Sequence, residues 1–254
     1  MSFHFSAYIG EHTLTTKMED IPGYVAGTFI AIVIAVLGFI FFGVSSASNG
    51  KRNLTPSFVI TFLVAWIFVV SVLVFDGYFT NLSGIPRIPL ISGVSFAMIV
   101  LAFAIPRSKS LLNNIPITTL HYIHIVRIPL QMVIWWLAVS KAMPMDVTFE
   151  GSNLDILSGI SAPFAAVFMV GARSKSKLGA IIWNVIALGL LINFIQMAIS
   201  YTPYFYTPSL SKVSNLAVFY FPYILMPTFI MPVLICSHLV ALNQLIFKKD
   251  QSQF

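Results

Sequence analysis

The chain is predicted to be an all-α integral membrane protein of seven transmembrane helices, and three observations predict it. Hydrophobic residues fill 58% of the 254 positions and charged residues only 9%, against roughly a quarter charged in soluble domains. The apolar residues fall into seven runs, about 22–46, 57–79, 89–106, 117–140, 156–172, 178–200 and 217–246, each near or above the roughly 17 residues a helix needs to cross hydrocarbon. The basic residues alternate between connections: Lys51, Arg52, Arg107, Lys109, Arg173, Lys175, Lys177, Lys248 and Lys249 share one side, while Lys17, Arg87, Lys141 and Lys212 lie on the other with most of the acids. The positive-inside rule then places the N-terminus outside and the C-terminus in the cytoplasm, which requires an odd number of crossings. Nothing divides the chain, so residues 1–254 are read as a single transmembrane domain.

The same composition excludes other classes. A net charge of +6 could serve nucleic acid, but the basic residues sit in short clusters beside apolar runs, as topology signals do. The partner specified is the lipid bilayer, and nothing sets an oligomeric state. Cys236 is the only cysteine, which rules out an intrachain disulfide. The first twenty residues include Glu11, Glu19 and Asp20 and lack the basic start of a signal peptide, so no cleavage is expected.

Taken in order, the third run opens on Ser92-Gly93-Val94-Ser95 and ends at Arg107-Ser108-Lys109-Ser110; the fifth repeats this as Ser158-Gly159-Ile160-Ser161 and Arg173-Ser174-Lys175-Ser176. The match suggests either a shared topogenic pattern or duplicated two-helix hairpins. Gly93 and Ala97, four apart, are expected at a helix contact. Between the fourth and fifth runs, Pro144–Asp155 holds Asp146, Glu150 and Asp155 without calcium-loop spacing, and Ser152 with Asp155 reads as a capping box for the fifth helix. Asp76 reads as an exposed acid at the outer interface. The loop Tyr201–Pro208 is aromatic enough for an interfacial belt. In the seventh run Pro222, Pro227 and Pro232 each remove a backbone donor, leaving carbonyls near Tyr223 and Thr228 in need of partners.

The chemistry sits in the fourth run. His121, His124, Arg127 and Gln131 share an arc of roughly 120° on an ideal helix, and a charge near the bilayer centre costs about 2.5–3.5 kcal/mol or more. This polar stripe should therefore face other helices or a cavity, with Asn184 of the sixth run and His238 of the seventh within reach. Four uses of these residues remain open. A pocket of His121, His124, Arg127, Gln131, Asn184 and His238 would bind or move a small polar or anionic ligand. His121, His124 and His238 could hold zinc in a metal-dependent membrane enzyme, although no cofactor is predicted outright. One histidine from each of two helices could hold haem. The residues could also simply form a packing network, in a protein that serves as a structural or assembly partner. No nucleophile motif or phosphate loop is present, and the last run has no lysine for a retinal Schiff base.

The segment Arg127-Ile128-Pro129-Leu130-Gln131, followed by Thr148-Phe149-Glu150-Gly151-Ser152-Asn153-Leu154-Asp155-Ile156-Leu157-Ser158-Gly159, resembles a group of bacterial multi-pass membrane proteins without an assigned activity. The resemblance covers the fourth and fifth runs. It implies a location in the bacterial inner membrane and supplies no function. Gln131 stands where that group is expected to carry glutamate.

Overall fold

In the structure, a computed structural model, residues 20–48, 54–171, 176–205 and 213–247 are described. Among them all regular structure is helical, with no strand. Six helices are long and apolar enough to cross a membrane: α1 (Gly23–Ala47), α2 (Thr55–Phe75), α3 (Arg87–Ala104), α5 (Ile117–Val139), α7 (Lys177–Ser200) and α8 (Met226–Phe247). Two shorter helices lie between them, α4 (Pro106–Asn114) and α6 (Ile156–Met169). Burial follows polarity. The most apolar stretches of α5 and α8, which carry the buried histidines, are 56% buried, whereas that of α2, which carries no charged residue and no histidine, is 6% buried.

α6 is shorter than the run that predicted it. Nine α-helical residues pass at Ala165 into a five-residue π turn, about 21 Å of axis against the roughly 30 Å of a hydrocarbon core. The connection before it folds into the bundle, where Val147, Thr148, Asn153 and Asp155 are buried. Gly151 permits this descent, since a Cβ there would stand 2.6 Å from both Asp146 Cα and the Met145 carbonyl oxygen. The Tyr201 hydroxyl donates to Asp146 Oδ2 at 3.2 Å and ties the connection to the end of α7. Burial, and then the adjacent carboxylate, push that phenol above its usual range.

α4 stands where a plain connection was expected. Ser108, Leu111 and Leu112, spaced as i, i+3 and i+4, turn inward, while Arg107 and Lys109 are exposed, which is the pattern of a helix lying at an interface.

The seventh run is helical from Met226 only. It is preceded by a short 3-10 turn at Ala217–Phe219, and it opens with a π turn at Met226–Ile230. Pro232 has no N–H to offer the Thr228 carbonyl four residues earlier. That oxygen instead accepts from Trp66 Nε1 of α2 at 3.1 Å and Ser95 Oγ of α3 at 2.7 Å. A proline defect in the central helix thus fastens two peripheral ones, each bond contributing about 1 kcal/mol.

Gly93 and Ala97 are exposed, which corrects the expectation of a helix contact there. The close approach occurs instead at the equivalent position in the repeat, Gly159, where a Cβ would meet Ile128 Cγ1 at 3.0 Å and Arg127 Cβ at 3.1 Å. The two copies differ because the second has a polar helix to pack against and the first faces outward. Asp76 is exposed. Of the aromatic loop, Thr202 and Pro203 are buried and the Tyr204 hydroxyl accepts from the Arg87 amide at 3.3 Å, so this part packs onto the bundle. Tyr206, Thr207 and Pro208 lie outside the described residues, as do Lys17, Lys51, Arg52, Arg173, Lys175, Lys212, Lys248 and Lys249.

Candidate functional site

The site begins with Pro129. Its ring nitrogen cannot bond the Ile125 carbonyl, and just before it the backbone tightens into a 3-10 turn at Ile123–Val126. In a 3-10 turn residues three apart eclipse one another, so His121, His124 and Arg127 are drawn closer to one line than ideal α spacing allows. All three are 0% exposed, as are Gln131, Asn184 and His238. Arg127 lies ten residues into α5, about 15 Å along the axis, near mid-depth for a spanning helix.

The Arg127 charge is met by Asp155, Nη1 to Oδ1 at 3.2 Å, with side-chain exposures of 0% and 1%. Nη1 also donates to the Ala187 carbonyl of α7 at 3.2 Å. This corrects the capping assignment: the Asp155 side chain makes no cap bond on α6 and Ser152 is exposed. At this depth a full positive charge outweighs a helix end, because removing one member of a buried ion pair costs about 3–5 kcal/mol and a cap contributes about 1 kcal/mol. Asn153 holds the approach, its Nδ2 donating to Gln131 Oε1 at 3.1 Å and to the Val147 carbonyl at 2.9 Å, while its Oδ1 accepts from the Asp155 amide at 2.9 Å.

A directed chain of hydrogen bonds runs from Arg127 toward the start of α5. A guanidinium only donates, so His238 Nε2, 3.0 Å from Nη2, accepts. Its proton therefore sits on Nδ1, which donates to Asn184 Oδ1 at 2.8 Å. The Asn184 amide then donates from Nδ2 to His121 Nε2 at 3.0 Å and to the Ala180 carbonyl at 2.9 Å. His121 must carry its proton on Nδ1, which donates to the Ile117 carbonyl at 2.8 Å. Both ends of the chain, a pure donor and a pure acceptor, specify the same tautomers.

His124 stands beside this chain. It stacks on His238 with ring centroids 3.9 Å apart and planes 18° apart, and Trp183 lies against His121, His124 and His238 at 5.1, 5.6 and 5.7 Å. Ser237 Oγ donates to the Leu234 carbonyl at 2.7 Å and so accepts from His124 Nε2 at 3.0 Å.

The three histidines are thus brought together, but in an arrangement unsuited to a metal. Both ring nitrogens of His121 and His238 are engaged, and among the described residues no group of three His, Cys, Asp or Glu side chains is placed to hold one. Haem fits no better, because rings stacked at 3.9 Å cannot approach an iron from opposite faces. Asn193 and Gln196, further polar residues toward the end of α7, are exposed.

A cavity of about 360 Å³ opens beside the seam, walled by α1, α2, α3, α4, α5 and α8, with Phe62, Trp66, Ala102, Leu112 and Cys236 among its lining residues. That is more than twice a cavity of roughly 150 Å³ that holds benzene. Of the seam and its direct partners only Ser237 reaches it. No sequence pattern announced this space, because its walls come from six separate helices.

Residues 86–246, which span α3 to α8, match a family described as "Domain of unknown function (DUF8737)". No curated protein and no solved structure matches the chain.

Proposed function

The chain belongs to that family of unknown function, and from its cavity we propose that it is a membrane-embedded binding protein for a lipid-like ligand held beside α5. A single observation carries this reading: the large cavity is walled by apolar side chains and stands next to the polar seam, not within it. A small anion at Arg127 is disfavoured, since Asp155 already opposes that charge and the side chain is 0% exposed. The cavity walls lie in the half of the bundle that carries α4, which favours binding over translocation.

In this reading the single domain crosses a bacterial inner membrane seven times, α6 and its descending connection supplying one crossing. The N-terminus is outside and the C-terminus cytoplasmic, as the distribution of basic residues implies. The seam is the packing network that holds the cavity wall. A second reading places a small uncharged polar ligand in the seam. It is favoured by Gln131 Nε2, Ser158 Oγ and the Asp155 oxygens, which complete no hydrogen bond among the described residues.

Native mass spectrometry of the full chain, released gently from its membrane, tests the proposal. Wild-type protein is expected to retain a lipid-sized adduct and Ala102→Trp, which fills the cavity, to lose it. Val100→Trp on the exposed face of α3 (Val100 is 67% exposed) should retain it. Cys236→Phe closes the opposite wall and guards against a folding defect in the first variant. Equal retention by all four proteins would overturn the proposal.

A further inference from the structure

Resting on that reading of the cavity, we infer that its occupant is an anionic phospholipid of the leaflet at the α4 end, with an acyl chain in the cavity and its phosphate on Arg107 and Lys109. The helix α4 joins the two parts. Ser108, Leu111 and Leu112 line the cavity, and Arg107 and Lys109, the neighbours of Ser108 in sequence, flank that face and are exposed. A chain leaving the cavity past Ser108 therefore emerges at the helix that carries both cations.

Among the described residues neither cation pairs with an acid. The only ion pair among the described residues is Arg127–Asp155, buried in the seam, and no acidic residue lies between Asp76 and Asp146. The rest of the rim repeats the division. Gly43 and Val44 near the end of α1, Ala102 near the end of α3 and Ile115 before α5 all line the cavity, and all belong to the end of the bundle where the basic connections cluster. Apolar walls with basic side chains at one mouth match a molecule that is apolar along its length and negative at one end. An uncharged lipid would leave the cations without a partner, and a free phosphate would leave the cavity unfilled.

Lipid binding to the purified full chain in detergent, read by native mass spectrometry, provides the test, with phosphatidylglycerol and phosphatidylcholine of identical chains as probes. Each basic residue at a membrane surface favours an anionic lipid about fivefold, so wild type is expected to prefer phosphatidylglycerol roughly 30-fold. R107Q/K109Q should reduce that preference to near unity, weakening phosphatidylglycerol far more than phosphatidylcholine, whose choline already offsets its phosphate. Ala102→Trp should weaken both lipids. Equal binding of the two lipids by wild type, with R107Q/K109Q inert, would overturn the headgroup assignment and leave the cavity reading standing. Failure of wild type to retain either lipid would sink the cavity reading itself. A phosphatidylglycerol preference that Ala102→Trp leaves intact would show a headgroup bound without a chain in the cavity, and would also overturn the inference.

Discussion

Arg127→Ala is expected to lower folding stability by about 3–5 kcal/mol. The substitution removes the only positive charge beside Asp155 and leaves a carboxylate that is 1% exposed in the interior of the bundle, where an uncompensated charge is costly. It also strips His238 Nε2 and the Ala187 carbonyl of a donor. Unfolding of the full chain in mixed detergent, followed by helical circular dichroism, measures the loss. The double variant Arg127→Met with Asp155→Leu removes both charges and should recover most of it. A single variant that unfolds at the wild-type midpoint would mean that Asp155 is not a buried partner of Arg127.

Asn184→Leu should cost roughly 2–6 kcal/mol, because it leaves two buried groups, His238 Nδ1–H and His121 Nε2, without partners, at about 1–3 kcal/mol each. The interaction pattern separates this from a simple packing defect. His238→Leu already breaks one of those bonds, so combining it with Asn184→Leu is expected to cost less than the sum of the two single changes. Strict additivity in the same unfolding measurement would contradict the directed chain from Arg127 to Ile117.

Parts of this arrangement were legible in the sequence for physical reasons. His121, His124 and Arg127 recur every three residues within an apolar run, and the cost of charge in hydrocarbon turns that spacing inward on any helix. The Thr228 carbonyl was legible through Pro232, since a missing donor has to free an acceptor. Asp155 was hidden because an acid before an apolar run is also what a helix cap looks like. Asking which acid could neutralise Arg127 would have pointed to it, as Asp155 directly abuts an apolar run on the connection that follows α5. Gly159 and Gly93 occupy equivalent positions in a repeat, and only the neighbouring helix decides which of them is a contact. The cavity was invisible for the same reason. Walls drawn from six helices have no common period along the chain.

The proposal that the ligand space is the apolar cavity is tested most directly by photolabelling. A lipid carrying a diazirine near the end of its acyl chain would be incorporated into nanodiscs with the full chain, and the crosslinked residues mapped by mass spectrometry. Adducts on Met98 and Cys236, both in the cavity wall, are expected in wild type and absent from Ala102→Trp, while adducts on Phe68 of α2, which is 67% exposed, persist in both. Labelling confined to exposed residues such as Phe68 and unchanged by Ala102→Trp would contradict the proposal.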